Sequence, residues 1–392
     1  MTVHHELPTG ADFAALAGPH HPAITIYAST SPVVNERERA EVSVKSAFDH
    51  AIDQVKQGGA PTSELDALRR ERDGVLGDFV LWGGLSRSLA IFVAPGFTEV
   101  FVLPNRLDDA WHVGSHFTLG QLLRAPSQDQ EAFALTLSSN EWALWHATPT
   151  ARASHLETDP SHPANLDAAT NREPNEHSPR GGQHGDRGEV GDERGKKLLD
   201  IYAKRIADAT KHELAAIDPD GRVPLFVFAA EPLLSAFLDR SRNGRRTVGV
   251  AGSPDRLGAS EIDAALREQL SRLNVAEAAE ALDTLAEGTA GRVERDLAAI
   301  ARLAADGAVE TLWFDFTTSV NGTLDRETGA VEFASGNGTG DALADGTPAG
   351  DLLPQLAMLV IAKGGKVVTV RGDDLGEGWK EPAVAELRFA LA

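Results

Sequence analysis

Cysteine is absent from the 392 residues of the chain, which excludes both a disulfide framework and a thiolate metal site. No stretch approaches the roughly 18 consecutive apolar residues that a membrane-spanning helix needs. Residues 1–20 also lack the apolar segment of a secretory signal peptide. We therefore expect a cytoplasmic protein without a membrane partner.

Positive charge is scarce as well. The chain has 37 lysines and arginines against 58 aspartates and glutamates, a formal net charge of −21. Binding of nucleic acid by bulk attraction requires the opposite sign. The composition therefore argues against DNA binding and confines any contact with RNA to a local surface.

One stretch departs from this acidity. Residues 180–214 carry eight basic and seven acidic side chains, which leaves 29 basic against 51 acidic residues in the rest of the chain. The basic residues are Arg180, Arg187, Arg194, Lys196, Lys197, Lys204, Arg205 and Lys211. If the chain contacts phosphate, we expect the contact in this stretch.

The length and the 42% hydrophobic fraction suit two or three domains, and alternating helical and strand-like patterns predict a mixed fold, α/β with α+β character. We place an N-terminal α/β domain at 1–126, a central domain at 127–250 and a C-terminal domain at 251–392. Helices are predicted at 12–18, 37–57, 63–76, 194–216, 231–238, 259–285, 290–305 and 351–362. Strands are predicted at 23–28, 79–82, 89–93, 99–103, 110–113, 132–137, 142–147, 151–156, 224–229, 247–250, 309–315, 367–370 and 384–389.

Polar residues dominate from Glu157 to Gly191. Apolar side chains are scattered there, at Leu166, Ala168, Ala169 and Val190. The composition predicts a loop of more than 30 residues that packs against nothing, and loops of such length are usually functional or disordered.

The loop contains a tripeptide whose groups suit catalysis, Gly181-Gly182-Gln183. The two glycines permit backbone conformations closed to other residues and let another molecule approach the main chain. Gln183 supplies a neutral amide that can position a water or stabilise a developing oxyanion. The flanking Arg180, His184 and Arg187 are suited to phosphate.

This tripeptide in a long loop, followed by a long amphipathic helix, resembles the central domain of the archaeal and eukaryotic class-I release factors, with their Pelota branch and bacterial descendants. The resemblance spans roughly residues 130–392. It implies a ribonuclease-H-like central domain with its loop at 157–192 and an L7Ae-like C-terminal domain. In that lineage the tripeptide enters the ribosomal peptidyl transferase centre and promotes attack of water on the peptidyl-tRNA ester.

The resemblance assigns roles to nine residues. Gly181, Gly182 and Gln183 become the candidate catalytic element, and the RNA-binding candidates are Arg180, His184, Arg187, Arg194, Lys196 and Lys197. The implied partners are ribosomal RNA at the A site and peptidyl transferase centre, tRNA, and an elongation-factor-class GTPase, although no residue identifies the last. Neither a cofactor nor a metal is expected.

Members of the lineage that read stop codons carry an Asn-Ile-Lys-Ser tetrapeptide and a Tyr-Cys element. The chain lacks the tetrapeptide and has no cysteine, so it resembles the members that enter a vacant A site irrespective of codon. Two outcomes then stay open: rescue by peptidyl-tRNA hydrolysis, or protection of idle ribosomes by occupancy, as in hibernation under stress. We favour occupancy because His184-Gly185-Asp186 departs from the small and basic residues that usually follow the tripeptide. The acidic loop residues Glu173, Glu176, Asp186 and Glu189 would also approach phosphate unfavourably.

The sequence also suggests two functional classes outside translation. An acidic protein-binding scaffold explains the charge equally well, whereas a nuclease lacks carboxylates on the inner strands and has only Glu141 and Glu231 at strand edges. His4-His5 and His20-His21 are interpreted as solvated side chains rather than metal ligands. The glycine-rich segments 336–340 and 364–366 predict turns rather than phosphate loops.

Overall fold

The computed structural model of the chain describes residues 1–17, 20–32, 36–170, 188–241, 244–288, 291–335, 343–344, 349–372 and 380–390. The side chains of residues 188–194 and 286–288 lie outside this description. The chain forms two compact units, one of Met1–Gln130 with Leu270–Ala392 and one of Glu131–Gln269. The division into three domains, with boundaries after residues 126 and 250, stays a prediction.

The first unit begins with a five-stranded sheet. Its strands are β1 (Thr2–His4), β2 (Ala23–Ser29), β3 (Ser88–Ala94), β4 (Phe97–Leu103) and β5 (Ala110–Gly114), in the order β1-β4-β3-β2-β5. β1 runs parallel to β4, and the other neighbours are antiparallel. The helices of this part are α1 (Gly10–Leu16), α2 (Arg37–Gln57), α3 (Thr62–Leu76), α4 (Phe79–Gly83) and α5 (Arg124–Ser127).

The second unit contains a five-stranded mixed sheet. Its strands are β6 (Ala132–Leu137), β7 (Trp142–Ala147), β8 (Ser154–His155), β9 (Leu225–Ala229) and β10 (Thr247–Ala251), in the order β10-β9-β6-β7-β8. β7 is antiparallel to both β6 and β8, whereas β9 and β10 run parallel to β6. This order and these directions are those of a ribonuclease-H-like sheet, as predicted.

The helices of the second unit include one in the segment that the sequence predicted to be a loop. They are α6 (Leu166–Thr170), α7 (Gly188–Ile217) and α8 (Leu233–Arg240), and α9 (Ala259–Gly288) begins in this unit and continues into the first. β9 is apolar throughout because it lies between β6 and β10 with both faces covered.

The C-terminal part of the first unit contains β11 (Val293–Glu294), α10 (Leu297–Ala305), β12 (Val309–Asp315), β13 (Asn321–Leu324), β14 (Val331–Phe333), β15 (Gly350–Asp351), α11 (Leu352–Ala362), β16 (Lys366–Val370) and β17 (Ala383–Leu387). A mixed sheet has the order β11-β17-β12-β16. We call residues 316–351, between β12 and α11, the insertion, and β14-β13-β15 form a small sheet within it. The predicted succession of helix, strand, insertion, helix, glycine turn and two strands is confirmed, in keeping with the L7Ae-like expectation. Gly364 forms that turn with a φ of 76°.

The central strands β2 and β3 of the N-terminal sheet are buried on both faces, and their successive residues point to opposite sides and enter two different cores. Ile24 and Ile91 join a core with Phe48 of α2. Tyr27 and Phe92 instead join a cluster that includes residues of α10 and α11. The N-terminal and C-terminal parts therefore share one core, and each covers apolar surface of the other.

Several predicted elements are wrong in detail. The strand predicted at 151–156 covers only Ser154–His155, and the helix predicted at 194–216 begins at Gly188. Residues 79–82 form helix α4 rather than a strand, because Asp78 accepts hydrogen bonds from the N–H groups of Val80 and Leu81 at 2.9 and 3.0 Å. α3 begins one residue before the predicted cap and has Pro61 at its N-cap. The helix expected from residue 290 starts at Leu297, since Asp296 accepts a hydrogen bond from Ala299 N–H at 2.7 Å.

The interpretation of the N-terminal histidines as solvated is wrong for two of them. His4 Nε2 lies 2.5 Å from Glu99 Oε2, and its ring stacks on Phe101 at 4.4 Å. His20 contacts Phe97 and Phe117 with ring centroids 4.8 and 4.6 Å away, and burial lowers its pKa. Both histidines are packing residues of the first unit.

None of the described helices is both long enough and apolar enough to cross a membrane.

Asp351 connects the insertion to α11. It is the N-cap of that helix, and its Oδ1 accepts hydrogen bonds from Leu353 N–H at 3.2 Å and Val320 N–H at 3.4 Å. Burial raises its pKa to about 7. The carboxyl group is thus protonated in the folded protein over a pH range in which it is ionised in the unfolded chain.

The substitution Asp351→Asn tests this assignment. The raised folded-state pKa means that the unfolding free energy falls as pH rises from about 4 to about 7, by an amount on the order of 2–4 kcal/mol. Asparagine keeps the cap and cannot titrate, so the variant should lack this part of the pH dependence. Denaturant unfolding at a series of pH values measures it.

Asp296→Asn, the same substitution at the N-cap of α10, serves as the control and should retain the wild-type pH dependence. An unchanged pH dependence in Asp351→Asn would contradict the assignment.

Candidate functional site

The Gly-Gly-Gln segment itself lies outside the described residues. Residues 171–187 are not described, and they include Arg180, Gly181, Gly182, Gln183, His184 and Arg187. Arg194 lies in helix α7 with its side chain outside the description, and Lys196 and Lys197 are exposed near the start of that helix. The roles assigned to these nine residues stay predictions, and the site is defined here by the elements that hold the segment.

The chain that leads into the segment packs on the second unit, so the expectation of a loop free from residue 157 is wrong. Ala169 of α6 has no exposed surface and belongs to the core of this unit. Leu166 N–H donates to Ser139 O at 3.0 Å, and Trp142 Nε1 donates to Pro163 O at 2.8 Å. We call residues 156–170 the stem.

Glu213 of α7 joins the stem to the helix. Its Oε1 accepts hydrogen bonds from Asp159 N–H at 2.8 Å and from His162 Nε2 at 2.9 Å. The Asp159 carboxylate in turn accepts a hydrogen bond from Ser161 N–H at 2.8 Å, and this bond lowers the pKa of Asp159. One carboxylate on α7 therefore fixes a turn of the stem more than 50 residues away in sequence.

Helix α7, which starts at residue 188 where the undescribed segment ends, is about 45 Å long for its 30 residues. Tyr202 and Ile206 are fully buried, and Tyr202 OH donates to Ser138 O at 2.9 Å. Burial raises the pKa of Tyr202, which keeps this hydroxyl a donor.

Two arginines hold α7 further along. Arg240 of α8 binds both carboxylate oxygens of Asp200 at 2.7 and 2.8 Å. Arg245 binds Asp218, directly after the helix, at 2.5 Å and also donates to Val223 O. Both ends of the undescribed segment are thus attached to the same folded unit.

The outer side of α7 is basic. Four of its exposed residues are basic: Lys197, Lys204, Arg205 and Lys211. The last three follow Lys197 by 7, 8 and 14 residues, and this spacing places all four on one side of the helix. Within the described part of the chain, none of the four forms an ion pair. Asp208 is also exposed on this helix, so the surface is not purely positive. We call these four residues the α7 basic face.

Sequence reasoning missed the residues that anchor the stem, namely Trp142, His162 and Glu213. A signal was present for one of them. Glu213 follows Ile206 by seven residues, so it lies on the buried side of the helical pattern, where a charged residue needs a partner.

The sheet of the second unit offers no metal-binding chemistry in its described residues. No group of three or more histidines or carboxylates in the described part of the chain could hold an ion. Glu231, one of the two acids considered for a nuclease, accepts hydrogen bonds from Ser235 N–H and Oγ at 3.2 and 2.9 Å. It therefore acts as an acid at the start of α8.

The comparisons with known proteins cover the second unit and extend beyond it. Residues 133–308 match the family model of the bacterial archaeo-eukaryotic release factor family 3. Among curated protein sequences, none matches the chain.

Three solved structures resemble the chain at low identity. Pelota from Archaeoglobus fulgidus is 17% identical over 77% of this chain and 79% of its own, with a TM-score of 0.32. Dom34 from S. cerevisiae, a translation termination-like factor that interacts with Hbs1, is 11% identical over 78% and 74%, with a TM-score of 0.33. The archaeal termination factor aRF1 is 13% identical over 97% and 99%, with a TM-score of 0.23.

Removing the Glu213 carboxylate should release the stem. In Glu213→Ala the amide of Asp159 loses its acceptor, so its hydrogen exchange should become about tenfold faster or more, while the core of the second unit stays protected. Hydrogen-exchange mass spectrometry of peptides covering 156–170 measures this change.

Asp208→Ala is the matched control, since Asp208 lies on the same helix and is exposed. It should leave exchange in the stem at the wild-type rate. Equal exchange in the two variants would show that Glu213 does not hold the stem.

Proposed function

We propose that the chain is a ribosome-associated factor of the bacterial branch of the archaeo-eukaryotic release-factor lineage, and the match of residues 133–308 to a family model of that branch supports this proposal. Its Gly-Gly-Gln segment enters the peptidyl transferase centre from a vacant A site. The observation that carries the proposal is the attachment of both ends of that segment, through the stem and α7, to one ribonuclease-H-like unit. A segment anchored in this way can be presented to another particle in a defined position.

Entry into the A site is proposed to be independent of the codon. The chain has neither the Asn-Ile-Lys-Ser tetrapeptide nor any cysteine, and the stop-codon readers of the lineage use both elements. Binding must then depend on contacts that any vacant A site offers, above all the phosphates of ribosomal RNA.

The α7 basic face supports contact with those phosphates. Its lysines and arginine form no ion pairs among the described residues, so an RNA phosphate would not need to displace a carboxylate. The rest of the chain is strongly acidic, which confines attraction to this region and to the predicted contacts Arg180, Arg187 and Arg194.

We propose occupancy of idle or stalled ribosomes, as in hibernation, ahead of peptide release. The acids Asp186 and Glu189 beside the tripeptide would approach ribosomal phosphate at an electrostatic cost, which is a poor arrangement for rapid cycles of entry and catalysis. Hydrolysis of peptidyl-tRNA is the second candidate, because Gln183 retains the amide that positions water.

The proposed partners are ribosomal RNA at the A site and peptidyl transferase centre, with tRNA and an elongation-factor-class GTPase by analogy with the lineage. A cytoplasmic location follows from this proposal. An acidic protein-binding scaffold is the candidate from a different class, and its distinguishing property is the lack of affinity for ribosomes.

Replacing Lys204 and Lys211 with glutamine should weaken binding to bacterial ribosomes, because each lost ammonium group removes one phosphate contact. The slope of the logarithm of affinity against the logarithm of salt concentration should become shallower by about two. Cosedimentation of the purified chain with ribosomes over a series of salt concentrations measures this slope.

The control is Lys45→Gln with Lys56→Gln on α2, which makes the same change of charge at two other exposed lysines. Equal weakening in both double variants would argue against the α7 basic face. Failure of the wild-type chain to cosediment at any salt concentration would favour the scaffold.

Gln183→Ala separates occupancy from hydrolysis. Under occupancy, the wild-type chain and the variant should both release a negligible amount of labelled peptide from stalled complexes, and more chain should cosediment with ribosomes from starved than from growing cells. Release by the wild type that falls about a hundredfold in Gln183→Ala would instead establish the hydrolase. Gln54→Ala, at an exposed glutamine of α2, controls for the loss of an amide elsewhere.

A further inference from the structure

The N-terminal sheet of the first unit ends at an open edge. β5 is the last strand in its order, and no strand in the described part of the chain pairs with its outer side. Ala110, Trp111 and His112 of this strand are exposed. Edge strands of natural sheets are usually protected by charged side chains, by proline or by a covering element. β5 contains no proline, lysine or acidic residue, so its backbone can accept a further strand.

The side of β5 that faces α2 presents an aromatic surface. Trp111 lies opposite Ile26 in the ladder, and Ile26 belongs to the core that includes residues of α2. Trp111 is nevertheless 41% exposed. His50 of α2 stacks on the indole ring with the ring centroids 6.0 Å apart, which holds the ring in place. An exposed indole beside an open strand suits a cationic side chain that lies over the ring.

Two carboxylates flank this surface. Asp53 follows His50 by three residues, so the two side chains lie on the same side of α2. Asp53 is exposed and forms no ion pair among the described residues. Asp109 comes directly before β5 and is exposed, and its Oδ1 accepts a hydrogen bond from Ser29 N–H at 2.5 Å. A cationic side chain at Trp111 would therefore have an aromatic ring and carboxylates within reach.

The other side of β5 borders a cavity of about 360 Å³. Ala110 and His112 of the strand line it, together with Thr118. Asp108 and Arg371 also line it, and they form an ion pair with each other, so their charges compensate. The cavity therefore has room for an uncharged side chain and offers no excess charge to an ionic one.

We propose that an extended, basic segment of another protein binds β5 as an additional strand. Its backbone N–H and C=O groups pair with the open edge, and a lysine or arginine of the segment lies over Trp111 within reach of Asp53. Successive residues of a strand point to opposite sides, so the next side chain faces the cavity and is uncharged. The recognised chemistry is an alternation of basic and uncharged residues.

Charge favours this occupant over three others. A second copy of the chain, an RNA and an anionic membrane surface all carry negative charge. Each would be repelled by the net charge of −21 and by the carboxylates beside Trp111, whereas a basic segment is attracted. This binding goes beyond ribosome association and can fail independently of it, because β5 lies in the first unit and the test needs no ribosome.

Fluorescence anisotropy of labelled peptides of about eight residues, titrated with the full chain, provides the test. A peptide that alternates lysine and threonine should bind at least about fivefold more tightly than a peptide of the same composition with all its lysines at one end. Only the alternating peptide directs its lysines to Trp111 and its threonines to the cavity. A peptide that alternates glutamate and threonine should not bind.

Methylation of the peptide backbone tests strand addition itself. Methyl groups on the nitrogens of alternate residues remove the N–H donors from one edge of the peptide and leave the other edge intact. Of the two possible patterns, one should abolish binding and the other should leave the affinity within about threefold of the unmethylated peptide. Both patterns keep the same lysines, so charge attraction alone predicts no difference between them.

Substitutions in the chain test the side-chain contacts. Trp111→Thr removes the ring but keeps a residue that favours strands, and it should weaken binding about tenfold. Asp53→Asn should weaken binding about threefold, since exposed ion pairs contribute little. Phe79→Thr, at a 91% exposed aromatic residue of α4, and Glu41→Gln, on the opposite side of α2 from His50, should bind as the wild type does. All four variants should keep the wild-type midpoint of thermal unfolding.

Weakened binding in Trp111→Thr, together with a difference between the two methylation patterns, would establish the site. Binding that survives Trp111→Thr and both methylation patterns would show only attraction to an acidic chain and would overturn the proposal. It would also be overturned if the alternating peptide did not bind. Binding of a short single-stranded RNA in place of the peptide would assign the edge to RNA, and self-association lost in Trp111→Thr would assign it to a second copy; either result contradicts the proposal.

Discussion

Burial of one side of α7 against the sheet of the second unit is the constraint on which the candidate site depends. Tyr202 and Ile206 have no exposed surface, and Glu213 continues the same side of the helix. A carboxylate in such a position is destabilising unless donors surround it. The stem supplies two donors, the amide of Asp159 and the ring of His162, so the helix and the stem stabilise each other. The start and end of the Gly-Gly-Gln segment are fixed by this mutual attachment.

One side of α7 packs against the sheet, and the other side carries the α7 basic face. The net charge of the chain determines where that face can attract a phosphate. At physiological ionic strength, charges act over roughly 8–10 Å. Lys204, Arg205 and Lys211 can therefore attract a phosphate locally, although the chain as a whole has a net charge of −21. The same acidity repels RNA from the remaining surface. In the proposed function, a negatively charged chain with the α7 basic face would favour a single mode of approach to the ribosome over nonspecific adhesion.

Elements with strong periodicity were predictable from the sequence. The α2 helix and the strands β6 and β7 agree with their predictions at both ends, and β9 begins one residue later than predicted. The failures have local or long-range causes. A side-chain cap at Asp78 turned an apolar run into α4, and packing of the stem depends on contacts such as Trp142 with Pro163 that no local pattern encodes. The core that Tyr27 of β2 shares with α11 could not be predicted from the sequence either. The pattern of β2 and that of α11 each show only that the element is apolar, and not which element it packs against.

A ribonuclease-H-like sheet does not by itself imply nuclease chemistry, since function depends on the residues that a fold presents. Metal-dependent members of this fold need several carboxylates at the centre of the sheet. Here Ala134 and Leu135 of β6 lie beside Phe226 and Val227 of β9, and these apolar side chains cannot bind a divalent cation. The fold instead provides a rigid edge and a long helix between which a segment is attached. In the proposed function, the contribution of the fold is the position of that segment, and the chemistry would come from the tripeptide and from the ribosome.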